Sequence, residues 1–248
     1  MFDLESVWYG PSPDVAPTLV FLHEGLGSVS TWRDFPRRLG ERTGSGALIY
    51  SRRGYGSSPP AELPRPIEYM HDEAAVLEDV LRHHRVRDAI LIGHSDGASI
   101  ALIYAGRMRS GPARALILEA PHVIAEQSGI DSIAAMRKAY DTTDLRPRLA
   151  RHHSNVDNAF RGWNDVWLDP RFRDWNIEEF LPAITIPMLL IQGNADEYGT
   201  WAQIEAIERQ VRGPVETFSV PDAGHAPHRD EPEIVLERMS AFIHATRS

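Results

Sequence analysis

Ala89-Ile90-Leu91-Ile92-Gly93-His94-Ser95-Asp96-Gly97-Ala98-Ser99-Ile100-Ala101-Leu102-Ile103-Tyr104-Ala105 is the stretch whose reading settles the architecture. Four consecutive apolar residues open it, as in a strand buried on both faces. A helix-like run closes it. Between them the pentapeptide Gly93-His94-Ser95-Asp96-Gly97 reads G-x-S-x-G, a pattern too common to carry weight without the strand before it and the helix after it. The chain must turn sharply here, and a side chain on Gly93 or Gly97 would collide with the neighbouring backbone. Ser95 is thereby held at the carboxyl end of a strand, the edge where ligands bind in open α/β sheets.

The same rhythm continues on both sides. Continuous apolar runs predict strands over 18–22, 47–50, 89–92, 115–118, 188–191 and 215–220, with a short edge strand over 6–9. Amphipathic stretches over 31–42, 68–84, 97–109, 200–212 and 231–246 predict helices between them. Alternating β and α elements with buried strands mean an α/β fold, a mostly parallel sheet flanked by helices. Right-handed crossovers then bring every strand's carboxyl end to one edge. The rhythm breaks after Pro121 and resumes after Pro187. A structureless loop of that length is unusual in a compact domain, and 131–141 and 145–152 look helical. The expected organisation is a core of residues 1–124 and 183–248 with a small helical cap over 125–182.

Composition narrows the function classes. Of 248 residues, 42% are hydrophobic and 25% charged, ordinary for a globular protein. The absence of cysteine excludes a thiolate nucleophile, a disulfide framework and cysteine-ligated zinc. A net charge of −9 repels phosphate backbones, so no nucleic-acid partner is expected. No apolar run approaches the ~20 residues of a membrane helix. The first residues carry acids and no cationic or apolar leader pattern, so the expected setting is cytoplasmic, away from the membrane. No cofactor motif appears, and the histidine pairs lack carboxylate partners at ligand spacing, so no cofactor or metal is expected.

A serine hydroxyl needs a base, and the base needs an orienting acid. His225 follows the last strand in Asp222-Ala223-Gly224-His225, a loop able to bring an imidazole to the sheet's edge. His228 is a near rival, whereas His83, His84, His152 and His153 lie in polar stretches and read as solvated. Asp196 follows the strand over 188–191, with Glu197 beside it and Glu119 at the end of an earlier strand as alternatives. The preferred order is Ser95, Asp196, His225. An oxyanion needs preorganised N–H donors. The Asp96 amide, next to the serine at a helix start, is one candidate, and Gly25 in His23-Glu24-Gly25-Leu26-Gly27 is the other. Trp163, Trp167 and Trp175 fall in the cap, Trp32 follows the Gly25 loop, and Trp201 follows Asp196. Trp32, Trp163, Trp167 and Trp201 are the candidate walls of an apolar or aromatic substrate pocket.

These motifs together resemble the α/β-hydrolase superfamily, in its serine-type group with a helical cap inserted after the sixth strand. His23-Glu24-Gly25-Leu26-Gly27 is similar to its H-G-x-x-G oxyanion loop, Arg53-Gly54-Tyr55-Gly56-Ser57-Ser58 to its R-G-x-G-x-S turn, Gly193-Asn194-Ala195-Asp196 to its acid turn, and Gly224-His225 to its G-H pair. The resemblance runs from about residue 18 to 230. It implies a serine hydrolase with Ser95, Asp196 and His225 as triad, acting on a small-molecule ester through an acyl-enzyme. Thioester cleavage, C–C bond hydrolysis of the meta-cleavage type and a non-catalytic small-ligand receptor are the alternatives. A serine at the elbow argues against the relatives that attack with aspartate. Two departures stand out. Glu24 replaces a glycine, and is expected to point away or to pair with Arg52 or Arg53. The N-terminal strands look abbreviated. A homodimer, if formed, would use the cap or the free edge of the last strand.

Overall fold

The apolar runs become the strands of one seven-stranded sheet in the computed structural model, which describes residues 3–108 and 111–246. The strands are β1 (Ser6–Tyr9), β2 (Thr18–Leu22), β3 (Gly46–Tyr50), β4 (Ala89–His94), β5 (Ala113–Glu119), β6 (Met188–Gly193) and β7 (Val215–Val220). Their order across the sheet is β1-β3-β2-β4-β5-β6-β7. Only β1 runs antiparallel to its neighbour. Successive side chains of a strand point to opposite faces, so each apolar run feeds two cores. Leu19, Phe21, Ile49, Ile90 and Ile92 pack beneath α1 (Phe35–Thr43) and α9 (Pro232–Ala245). Val20, Leu22, Leu48, Tyr50 and Leu91 pack beneath α2 (Tyr69–His83) and α3 (Asp96–Arg107). A strand covered on both faces has no polar side to show, which is why these runs read as continuous.

Between β5 and β6 the chain leaves the sheet for α4 (Gln127–Thr142), α5 (Leu145–Leu149), α6 (Val156–Trp167) and two 3₁₀ turns, Pro170–Asp174 and Glu178–Ala183. The early sheet edge is the single strand β1, so this helical insert follows the fifth strand of this chain. Trp167 and Trp175 pack on Phe172, with ring centroids 4.4 and 5.3 Å away, and glue the insert's turns together. After the insert come α7 (Ala202–Gln210) and the short α8 (Pro227–Asp230). Among the described residues no helix is long and apolar enough to cross a membrane.

The helix expected over 31–42 is two elements. A 3₁₀ turn, Val29–Trp32, is separated from α1 by Arg33, whose φ of 55° and ψ of −128° reverse the chain. The break lets Trp32 turn inward against Phe21, while Pro36 sits in the first turn of α1, where its missing N–H costs nothing. The stretch 97–109 forms α3 through Arg107; residue 109 lies outside the described residues.

Packing at the strand-to-helix turn leaves no room for a side chain at its glycines. A Cβ on Gly93 would stand 2.5 Å from the Gly97 carbonyl oxygen, and one on Gly97 only 2.1 Å from the Leu22 carbonyl oxygen. Ser95 takes φ 53° and ψ −118°, a region that L-residues avoid. Its amide donates to the Glu119 carbonyl at 2.9 Å, tying the turn to β5. Gly97→Ala is expected to lower the unfolding free energy by about 1–3 kcal/mol, because backbone must move to admit a methyl group. Urea denaturation of the variant beside wild type measures it; an unchanged midpoint would mean that the turn is looser than this packing requires.

Candidate active site

Parallel register gathers the functional loops. Leu22 pairs with Gly93, His94 with Glu119, and Gly193 with Val220, so the segments that follow β2, β4, β5, β6 and β7 leave from one edge. Ser95 opens toward a cavity of about 580 Å³ at that edge. His225 Nε2 lies 2.9 Å from Ser95 Oγ. His225 Nδ1 lies 2.9 Å from both carboxylate oxygens of Asp196. An ionised carboxylate only accepts, so the imidazole proton sits on Nδ1 and Nε2 is left to accept from the serine hydroxyl.

The Asp196 carboxylate is itself held in place. It accepts from the Tyr198 amide at 2.8 Å, the Gly199 amide at 3.3 Å and Gln192 Nε2 at 2.8 Å. Burial opposes its charge, yet the His225 hydrogen bond and charge together with the Tyr198 amide hold its pKa below the ordinary carboxylate value. The alternative acid, Glu119, is fully buried and engaged elsewhere: it accepts from His228 Nδ1 at 2.5 Å. Folding thus pairs the rival base with a rival acid, behind the turn and apart from Ser95. Glu197 makes no hydrogen bond or ion pair with His225 among the described residues, and its carbonyl accepts from Ser132.

The Gly25 loop is built on buried polar contacts. His23 Nδ1–H donates to the Glu24 carbonyl at 2.7 Å, and His23 Nε2 accepts from the Arg52 amide at 3.1 Å. Arg52, itself inaccessible, donates through Nη2 to the Glu24 carbonyl at 2.8 Å and reaches Asp96 Oδ2 at 3.7 Å. The Asp96 side chain also accepts from the Tyr69 hydroxyl at 2.6 Å, and Trp167 Nε1–H donates to that hydroxyl at 3.0 Å. The carboxylate therefore points into the protein, while the Asp96 amide opens α3, where an N–H has no acceptor within its own helix. Gly25 lines the cavity beside Ser95, and a Cβ there would meet Trp163 Nε1 at 2.1 Å.

Glu24 pairs with neither arginine expected of it. Arg53 binds Asp3, and Arg52 takes only the Glu24 carbonyl. The Glu24 carboxylate binds Arg229 at 3.0 Å and faces His94 Nδ1 at 3.6 Å. Burial opposes its ionisation, but His94 and Arg229 hold its pKa well below the usual range. His94 Nε2–H in turn donates to the His225 carbonyl at 2.6 Å. The residue between Gly93 and Ser95 thus grips the loop that carries His225. The histidine pairs have no carboxylate at ligand spacing in the sequence, yet folding brings ligand-type atoms of His94, Glu119 and His228 within 4.8 Å of one another. Each group makes one hydrogen bond, Glu119 to His228 and His94 to the His225 carbonyl, while His94 Nδ1 and Glu119 Oε1 are left without one.

Of the four expected wall tryptophans, Trp163 and Trp167 line the cavity and two do not. Trp32 is buried beneath the site, 4.7 Å from the His228 ring, because the chain reversal at Arg33 turns it inward. Trp201 is 37% exposed at the start of α7, facing solvent. The apolar wall is completed by Ile133, Met136, Leu145 and Leu149 from the insert. Of His152 and His153, both read as solvated, the second is buried and the first half-buried. His153 is buried, accepts from the Gly56 amide at 3.0 Å and donates to the Leu26 carbonyl at 3.0 Å; His152 lines the cavity and meets Ser30 Oγ at 2.8 Å. Sequence reading also passed over His122 and Tyr198, which pack on the His225 ring at 5.6 and 4.6 Å. Their signal was position: each follows a strand end on the loop edge.

Burial, followed by the His225 charge, pushes the His122 pKa from 6.5 to about 3. The unfolded chain therefore takes up a proton at this residue below pH 6.5, and the folded chain does not until about pH 3. Stability from this group falls as pH drops through that window, with a slope of up to ~1.4 kcal/mol per pH unit. His122→Asn is expected to flatten the stability–pH curve there. Thermal melts of both proteins across the window check it; parallel curves would exclude the neutral buried histidine.

The chain matches the model of the Alpha/beta hydrolase family over residues 19–238. It is 23% identical over 251 residues to the sn-1-specific diacylglycerol lipase ABHD11 of Danio rerio, covering 91% of this chain and 78% of that protein. Among solved structures it superimposes on an esterase from Exiguobacterium antarcticum with a TM-score of 0.74 at 20% identity, over 97% of this chain and 94% of the other. A carboxylesterase structure from Nitrososphaera gargenis gives 0.78 at 16% identity, over 98% and 96%. The structural likenesses show the fold, and the family match extends over the sheet from β2 onward, the turn at Ser95 and the loops of Asp196 and His225. The chain is a hydrolase of the alpha/beta hydrolase family.

Proposed function

We propose that the protein hydrolyses carboxylic esters of small, apolar or aromatic acyl groups through an acyl-enzyme on Ser95. The observation that carries this reading is the unbroken line from Ser95 Oγ through His225 to Asp196, each link 2.9 Å, opening onto a cavity walled by Trp163, Trp167, Ile133 and Met136. The esterase and lipase names among its relatives support the same reaction class.

The proposed sequence needs only groups of this chain. As Ser95 Oγ adds to the ester carbonyl, its proton passes to His225 Nε2, and the carbonyl π electrons move onto oxygen. The Gly25 and Asp96 amides receive that oxyanion; both are backbone groups fixed before the substrate arrives, so little reorganisation opposes them. The positive end of the α3 dipole lies at the same place. Collapse of the intermediate breaks the bond to the alcohol oxygen, which takes the proton from His225. Water then enters, gives a proton to the same nitrogen and attacks the acyl-enzyme. The acid leaves, and Ser95 recovers its proton. Asp196 stabilises the imidazolium in each half-reaction and keeps Nδ1 protonated throughout.

A panel of p-nitrophenyl esters from acetyl to benzoyl tests the reading. Wild type is expected to turn over the larger acyl groups with the higher kcat/KM, and Ser95→Ala to lose about 10⁴-fold or more in kcat with substrate binding retained. Asp196→Asn should cost about 10³–10⁴-fold, since an amide no longer selects the tautomer that leaves Nε2 free. Glu119→Gln should leave kcat within about tenfold of wild type and act mainly on stability. The reverse ranking of the two acid variants would move the acid's role to Glu119. Acetyl esters cleaved best would refute the apolar pocket.

A further inference from the structure

Four guanidiniums and three carboxylates line the cavity of a chain whose net charge is −9. Most of them are engaged. Arg229 binds Glu24 at 3.0 Å, and Arg148 reaches Asp144 at 3.6 Å, outside the cavity wall. Asp230 accepts from the Gly224 amide at 2.9 Å, and a Glu197 carboxylate oxygen also stands beside Gly224. Arg33 and Arg151 differ. Among the described residues neither guanidinium has a carboxylate, carbonyl or hydroxyl partner, yet both border the space into which Ser95 opens.

We propose that Arg33 and Arg151 form an anion site at the rim of the Ser95 cavity, so that the ester or thioester substrate carries a carboxylate or phosphate away from its scissile bond. The inference rests on the hydrolase reading and narrows its substrate. Arg33 comes from the reversal between the 3₁₀ turn and α1, and Arg151 from the insert just after α5, so the two flank the seam where insert meets core. His152 marks that seam by its contact with Ser30 at 2.8 Å. Arg33, Arg151, Arg229 and His152 all line the cavity at this seam, with Glu24 held by Arg229. Two guanidiniums that no carboxylate neutralises directly favour an incoming oxyanion, which a planar guanidinium can bind through two N–H groups. Arg33 also sits in a backbone conformation that glycine would adopt without strain, and such strain in folded chains concentrates at ligand-binding positions.

Geometry orients the substrate. Leu145, Leu149, Trp163 and Trp167 offer the acyl or aromatic part an apolar wall, and the charged rim offers the remainder a counter-ion. A carboxylate at the far end of the acyl chain and a phosphate on the leaving group meet the same requirement. Two matched pairs separate them: mono-p-nitrophenyl adipate against p-nitrophenyl heptanoate, and butyryl-coenzyme A against S-butyryl-N-acetylcysteamine. Wild type is expected to prefer the anionic member of one pair by about tenfold or more in kcat/KM, expressed mainly in KM. That ratio should fall toward unity in Arg33→Ala/Arg151→Ala and shrink with added salt, while Arg37→Ala on the outer face of α1 leaves it unchanged. A preference in the first pair assigns the anion to the acyl chain, and one in the second assigns it to the leaving group. Turnover of neutral esters with no preference in either pair overturns the anion site and leaves the hydrolase standing. Silence on every substrate overturns the esterase reading instead. Calorimetric titration of adipate and coenzyme A into Ser95→Ala then decides the site: saturable binding lost on adding both arginine substitutions supports it, and binding that is absent or survives them overturns it.

Discussion

Backbone meets backbone at the turn between β4 and α3, and the site depends on that contact. With hydrogens at positions 93 and 97, α3 can press against the end of β2 until only the Leu22 carbonyl limits it. Ser95 is driven into a positive-φ conformation, with its amide fastened to β5. A residue so placed has few alternatives, and the strain is offset by α3, which is buried from Asp96 to Gly106. The same contact aligns the α3 dipole and the Asp96 amide with the cavity. One steric constraint thus positions both the Ser95 hydroxyl and the amide proposed as an oxyanion donor.

The other functional groups are secured from behind rather than from the cavity. Asp196 is held by two amides and Gln192, the Gly25 loop by His23 and Arg52, and the His225 carbonyl by His94. The Glu119–His228 pair fills the space beneath with a hydrogen bond of 2.5 Å. A buried pair of this kind adds little net stability but is costly to break. Placed under the turn, it limits the ways in which the His225 loop can shift. The cavity walls have a different origin. Their apolar side chains come mostly from the insert, so substrate fit and the geometry of the reacting groups are borne by separate segments.

Much of this was legible in the chain. Continuous apolar runs located the inner strands, because burial on both faces leaves nothing polar to interrupt them, while β7 at the sheet's edge keeps Glu216 and Ser219 exposed. Ser95, Asp196 and His225 could be proposed from residue type and from their place after strands, and folding brings those three within hydrogen-bond reach of one another. What misled was local polarity. His152 and His153 lie among charged residues and read as solvated, yet long-range contacts with Ser30, Gly56 and Leu26 draw them in. Trp32 and Trp201 follow functional loops in sequence, but proximity along the chain does not fix the direction of a side chain. For Trp32 that direction is set by the reversal at Arg33, which amphipathic periodicity cannot register.

The sequence by itself determined the sheet, the sharp turn at Ser95 and the short list of acids and bases at the loop edge, because strand burial and glycine sterics act over a few neighbouring residues. Tertiary structure alone decided how that list was divided: Asp196 to His225, Glu119 to His228, and Glu24 to Arg229 rather than to Arg52 or Arg53. It also decided which tryptophans face the cavity and which arginines are left without a partner. These are matters of register and of contacts between residues far apart in the chain, from the 29 positions separating Asp196 from His225 to the 109 separating Glu119 from His228 and the 205 separating Glu24 from Arg229. A carboxylate's nearest cation is set by the packing of sheet, helices and insert, and nothing in its own neighbourhood of the chain encodes it.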